Sequence, residues 1–229
     1  MASPPPERSD AASDVDVEER AEARWPMALA VVATAILHAF LPPELKVQPG
    51  FLFPVVVVGL LVVLILGDPG RIDRRKPWLS ATTATLIGVI TVVNGWSAVQ
   101  LIIGILDNAS FTQPDELLYS GGVVWFTNAV AFALWFWDLD RGGAAARAHQ
   151  TTASPALLFP EMMHPEYVAE NWYPKFVDYL SFSFATATAF SPTDVSALRT
   201  WAKLLMICES LLSLAIGGLV IARAINILQ

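Results

Sequence analysis

The chain reads as a series of apolar runs near bilayer length, separated by short polar stretches. The first run extends from Trp25 to about Leu41 and is stopped by Pro42 and Pro43. The second covers Phe51 to Leu66 and is closed by Gly67 and the charged stretch Asp68 to Lys76. The third spans Trp78 to Leu106, the fourth about Leu117 to Trp137, and the last Leu198 to Leu228. At ~1.5 Å per residue, about 20 residues cover the roughly 30 Å hydrocarbon core of a bilayer. The second run is marginal by that measure, but it holds four consecutive valines and no charge. All five predict membrane-crossing helices. The short alternating segments of a transmembrane barrel do not appear. Trp25, Trp78, Trp135, Trp137 and Trp201 sit near the ends of the runs, where an indole favours the headgroup layer. Trp96 and Trp125 lie inside runs and are expected to pack between helices.

Composition supports this reading. Of 229 residues, 55% are hydrophobic and 15% charged, against roughly 25% charged in a soluble domain. The mean hydropathy is +0.52. The fold class expected is an all-α polytopic transmembrane helix bundle with about five spans and one further segment, re-entrant or spanning. Residues 1–24 are expected to form a disordered tail. They carry seven acids, three arginines and three consecutive prolines, with almost no large apolar side chain to offset ordering entropy. The tail lacks the apolar core and cleavage site of a signal peptide. Residues 25–141 make the four-helix region. Residues 142–175 form an interfacial linker too rich in proline and glycine to span, with Leu157-Leu158-Phe159 lying along the membrane surface. Residues 176–229 hold the last segment and last helix.

Lysine and arginine set the orientation. They collect in the N-terminal tail, after the second run (Arg71, Arg74, Arg75, Lys76) and after the fourth (Arg141, Arg147), while the loop after the first run has only Lys46. The positive-inside rule puts the N-terminus in the cytoplasm of a cell with this multi-pass protein in its inner or plasma membrane.

Phe176 to Asp194 reads FVDYLSFSFATATAFSPTD: aromatic first, then rich in small hydroxyl residues, then ended by Pro192 and Asp194. A helix from Asp178 to Ala189 would be roughly 18 Å long, about half a bilayer. Irregular backbone beyond it is tolerable at membrane depth only if shielded by protein or lining a wet cavity. Here the sequence resembles the pore-loop and inner-helix module of potassium channels, through Phe182-Ser183-Phe184, Thr186, Thr188, Asp194, Glu209 and Ile221-Ala222-Arg223. It is also similar to a family of uncharacterised bacterial polytopic membrane proteins with four spans, a Phe-Ser-Phe loop and a final span. The filter departs from the channel pattern: Ala189-Phe190-Ser191-Pro192-Thr193 stands where channels have Thr-Val-Gly-Tyr-Gly. Both glycines that permit the filter backbone are missing, and Pro192 restricts itself and Ser191. The resemblance implies an ion-channel-like protein with a non-standard pore loop. Thr186, Thr188, Ser191, Thr193 and Asp194 would be pore-lining and Glu209 would support the loop from the last helix. It also implies a homo-oligomer, a tetramer if a channel, with monovalent cations passing.

Two topologies remain open for 176–194. Lys175, Arg199 and Lys203 favour a loop dipping from the cytoplasm; Arg223 favours a sixth span. Glu209 is the one carboxylate well inside a run, and an intramembrane acid marks either function or a hydrogen-bonded structural site. A non-conducting protein that uses the loop for packing or partner binding is the alternative reading, and a proton-coupled transporter using Glu209 is a third. Cys208 reads as a small packing residue between helices. Glu161 and His164 have a metal-bundle spacing without the second pair such sites need. Asn94, Gln100 and Asn128 read as interhelical hydrogen-bonding residues. No catalytic triad, P-loop, dinucleotide fingerprint or basic nucleic-acid patch occurs, so neither an enzyme, a cofactor nor a nucleic-acid partner is expected beside the lipid bilayer.

Overall fold

The computed structural model describes residues 21–72, 76–107, 113–149, 153–169, 172–188 and 194–227. Among them are eight α-helices and four two-residue strands. Helix α1 is Trp25–Ala39, α2 Leu52–Gly67, α3 Pro77–Leu106 and α4 Pro114–Leu139. The short α5 (Ala144–Ala148) and α6 (Pro160–Met163) follow, then α7 (Phe176–Thr188) and α8 (Thr200–Ile227). Strand β1 (Glu22–Ala23) pairs antiparallel with β2 (Arg71–Ile72), and β3 (Leu157–Leu158) with β4 (Ser196–Ala197). Proline in the first turn of α1, α3 and α4 presets helical φ where a missing N–H costs nothing.

Three helices are long and apolar enough to cross a membrane: α3, α4 and α8, at 30, 26 and 28 residues. Helices α1 and α2 are shorter apolar helices of 15 and 16 residues. We call the end where α1 begins proximal and the other distal. Helices α1, α3 and α8 run away from the proximal end and α2 and α4 run back to it. Helix α4 is the central mast. In its most apolar window 72% of residues are buried, against 39% in α3 and 22% in α8, which turn broad apolar faces outward. Cys208 lies exposed on the outer face of α8 instead of between helices. Trp96 likewise is 49% exposed, on the outside of α3. Trp125, as expected, is partly buried, edge-on to Phe184 at 5.6 Å.

One core cluster fills the proximal two-thirds around Val31, Leu86, Leu134, Phe136 and Phe182. A second fills the distal third around Leu45, Leu101, Leu117 and Val220. There α4 and α8 approach so closely that a Cβ on Gly121 would lie 2.6 Å from a Val220 methyl.

The structure corrects the reading of two polar stretches. Residues 21–24 belong to the fold and not to a disordered tail: Glu22 and Arg24 are 2% and 6% exposed. Their partners lie far along the chain, so local composition does not reveal them. Arg24 Nη2 donates to Asp68 Oδ2 at 2.9 Å and its Nε to the Asp68 carbonyl at 3.0 Å. The stretch after α4 is a cap folded onto the proximal end. Leu157 and Phe159, placed on the membrane surface by the sequence reading, are core residues here. Trp137, read as an interfacial anchor, is buried as well and donates Nε1 to Glu22 Oε2 at 2.9 Å.

Gly121→Ala is expected to cost about 1–3 kcal/mol by overpacking the α4–α8 crossing. Adding Val220→Ala should recover most of the loss. Thermal unfolding of both variants in mild detergent checks this; additive losses would mean that the helices do not meet there.

Candidate functional site

The candidate site is the hairpin built on α7 and the polar groups that hold it. Asp178 accepts the Lys175 backbone N–H at 2.7 Å, and Glu22 Oε1 accepts that of Phe176 at 2.5 Å, so two carboxylates satisfy the amides where the helix begins. Phe176, Tyr179, Phe182, Ser183 and Thr186, at three- and four-residue spacing, form the buried face. Phe182 packs edge-on against Phe136 at 4.9 Å, and Phe184 against Trp125 and Phe126. Since Phe126 lies midway along α4, the 13-residue α7, roughly 20 Å long, reaches mid-bundle and no further.

The chain then comes back. Strand β4 pairs with β3, and Leu198 N donates to the Ala156 carbonyl at 2.8 Å. Ala156 N in turn donates to Asp140 Oδ1 at 2.7 Å, while the Tyr179 hydroxyl donates to Asp140 Oδ2 at 2.6 Å. One buried carboxylate at the proximal end of α4 therefore ties down both limbs. Around it, Arg147 donates Nη1 to the carbonyls of Trp137 and Asp140, each at 2.8 Å, and its guanidinium lies 5.1 Å from the Tyr179 ring. Glu22 Oε2 is 3.9 Å from Arg147 Nη2. Burial pushes the Glu22 carboxyl above its ordinary value of 4.5, and the bonds from Trp137 and Phe176 and the charges of Arg147 and Lys175 pull against that rise. The turn after α4 is left-handed: Arg141, Gly142 and Gly143 have φ of 53°, 82° and 89°. Two glycines suit that path, and Arg141 bears a strain of about 1–2 kcal/mol.

At mid-depth a second set of groups meets the hairpin. Ser183 Oγ lies within hydrogen-bond reach of both the Ala129 carbonyl (2.6 Å) and Glu209 Oε1 on α8. A hydroxyl has one proton, so both contacts are satisfied when a carboxyl O–H of Glu209 donates to Ser183 and Ser183 donates to the carbonyl. Glu209 is 0% exposed, and its Oε2 has no hydrogen-bond partner among the described residues. One turn further along α8, Ser213 accepts Asn128 Nδ2 at 3.0 Å, and Asn128 Oδ1 accepts Asn94 Nδ2 at 3.3 Å. The Thr127 hydroxyl donates to Asn94 Oδ1 at 2.5 Å. The asparagines are thus the interhelical links expected of them, joining α3, α4 and α8.

Of the residues singled out by sequence, Glu209 on α8 lies against Ser183 of α7. Thr186 turns inward and its hydroxyl donates to the Phe182 carbonyl at 2.9 Å. Thr188 is exposed and donates to the Ala185 carbonyl at 2.9 Å, and Asp194 is exposed. Ser191 and Thr193 lie outside the described residues. His164 Nδ1 lies 3.3 Å from Glu166. The sequence reading missed Ser183 as a contact of Glu209, and it gave Glu22, Asp140, Arg147 and Tyr179 no place at this site. The run Phe176–Phe184 holds two serines, and the available signal for the first was that Ser183, unlike Ser181, shares the helical face of Phe176, Tyr179 and Thr186; the others carry none, because their partners are remote.

No protein family model, no curated protein and no solved structure matches the chain.

Two outcomes test this geometry. A carboxyl whose value rises on folding favours the fold in its neutral form. Its contribution is complete below the ordinary value of 4.5 and fades as pH climbs through the raised one. Glu22→Gln should therefore flatten the decline in melting temperature as pH rises above about 4.5; an unchanged slope rules Glu22 out as its source. At mid-depth, Glu209→Gln keeps a donor for Ser183 and should be nearly neutral, while Glu209→Ala should cost about 1–3 kcal/mol. Equal losses in chemical denaturation would show that donation to Ser183 is not what Glu209 supplies.

Proposed function

We propose that this is a multi-pass protein of the inner or plasma membrane whose 176–194 hairpin enters the bilayer from the cytoplasm, and that it works as an ion-channel-like assembly. The observation that carries the reading is a half-length helix whose two limbs are tied to the same end of a membrane bundle. Charge supports the orientation. Arg24, Arg71, Lys76, Arg141, Arg147, Lys175, Arg199 and Lys203 sit toward the proximal end, and Lys46 and Arg223 toward the distal end. That bias makes the proximal end cytoplasmic. Helices α1 and α2, roughly 22–24 Å long, cross with the help of flanking turns and local thinning, giving five spans, an N-terminus inside and a C-terminus outside.

In this assembly Thr188, Ser191, Thr193 and Asp194 frame the constriction, and Glu209 braces the loop through Ser183. One loop cannot enclose a pore, so the protein forms a closed homo-oligomer, a tetramer on the resemblance to potassium-channel modules. The missing filter glycines remove the carbonyl stack that selects potassium, so the permeant monovalent cation is chosen by hydroxyls and the Asp194 carboxylate. A second reading, a non-conducting packing plug, is favoured by one observation: Thr186 and the rest of the α7 inner face are buried within a single chain.

The purified protein should be oligomeric by native mass spectrometry and should pass monovalent cations across liposomes. Asp194→Lys should lower cation flux at least tenfold with little change in melting temperature. A monomer that passes no ions sinks the channel reading; a loss of stability without change in flux selects the plug.

A further inference from the structure

We propose that the proximal end holds a binding site for a phosphate-bearing anion, and that its occupant is the headgroup of an acidic phospholipid. A cavity of about 740 Å³ opens there between the last turn of α2, the first turns of α3 and α8, and the end of α4. That is the size of an ordinary ligand pocket, which runs roughly 300–1,000 Å³. Its walls carry four cations, Arg24, Lys76, Arg141 and Arg199, against two carboxylates, Asp68 and Asp138. Asp68 is engaged by Arg24 at 2.9 Å, which cancels one charge of each sign. Lys76 and Arg199 are exposed at the rim and make no ion pair among the described residues.

Arg141 has donors to spare. Its Nη2 meets only the Met162 thioether at 3.2 Å, a weak acceptor, and its Nε has no hydrogen-bond partner and is 3.9 Å from Asp140 Oδ2. A guanidinium with open donors beside two exposed cations suits the oxygens of a phosphate diester. Among the described residues that line the walls, Asp138 is the remaining acid, which leaves their balance net positive.

Position selects the lipid over free phosphate. The mouth lies among the ends of α3 and α8, the two long helices with the largest outward-facing apolar surface. The indoles of Trp137 and Trp201 line its wall at the level where apolar helices meet charged residues. Basic pockets between helices on the cytoplasmic side bind acidic headgroups in this way. The site stands on its own geometry, whether or not the protein conducts ions.

The test is thermal unfolding of the full chain in a nonionic detergent, with short-chain phosphatidylglycerol, short-chain phosphatidylcholine or inorganic phosphate added. Phosphatidylglycerol should raise the melting temperature by about 2–4 °C and phosphatidylcholine should not. The double variant Lys76→Gln, Arg199→Gln should melt with wild type in detergent alone, because both side chains are exposed, and should lose the shift. An equal shift from millimolar inorganic phosphate would make the ligand a soluble phosphate. Equal shifts from the two lipids, no shift from any addition, or a shift kept by the double variant overturns the site.

Discussion

A carboxylate with no access to solvent, on Asp140, is the point from which the proximal half of this protein is organised. Its two oxygens accept from a descending helix and from the segment that holds the returning strand. Its own backbone carbonyl accepts from Arg147, whose guanidinium faces Glu22 and stacks near Tyr179. A buried charge of this kind is costly unless every lone pair is used. Here each oxygen accepts one bond, Oδ1 from the cap and Oδ2 from α7, and Arg141 Nε lies 3.9 Å from Oδ2. The hairpin is therefore held by polar satisfaction at its base and by aromatic packing along its length.

Deeper in the bundle the interactions are weaker and their role differs. Hydrogen bonds between membrane helices average about 0.6 kcal/mol, too little to hold the helices together. What Asn94, Thr127, Asn128 and Ser213 supply is register, because sliding α3 or α8 by one residue against α4 would strand each polar group in hydrocarbon. Ser183 extends the same device to the hairpin, placing its midpoint level with Ala129 and Glu209. Close backbone approach at Gly121 sets the depth of α8 from the distal side.

The helices were legible because their cause is local. Every run of apolar residues bounded by proline, glycine or charge became a helix within a few residues of the expected ends, and the half-length helix expected over 178–189 was readable from its own composition; it spans Phe176–Thr188. The count of helices able to cross is plainer for α3, α4 and α8 than for α1 and α2, whose 15 and 16 residues fall short of a full bilayer. What composition concealed was the polar architecture. Glu22 and Arg24 look like the end of an acidic tail until Trp137, Phe176 and Asp68 arrive from 44 to 154 residues away. Leu157-Leu158-Phe159 looks like a surface anchor until β4 pairs with it. Thr186 shares a helical face with Ser183, so it turns inward where a filter-centred reading would have it face a channel.

The bond from Phe176 N to Glu22 bears on how the protein is made. Glu22 leaves the ribosome ahead of the first apolar helix, and its Oε2 meets Trp137 only once α4 has been made. The donor to its Oε1 does not exist until the chain has grown by 154 residues beyond Glu22. The proximal cap thus closes late in synthesis, and a nascent chain stalled before α7 leaves Glu22 Oε1 without its backbone donor.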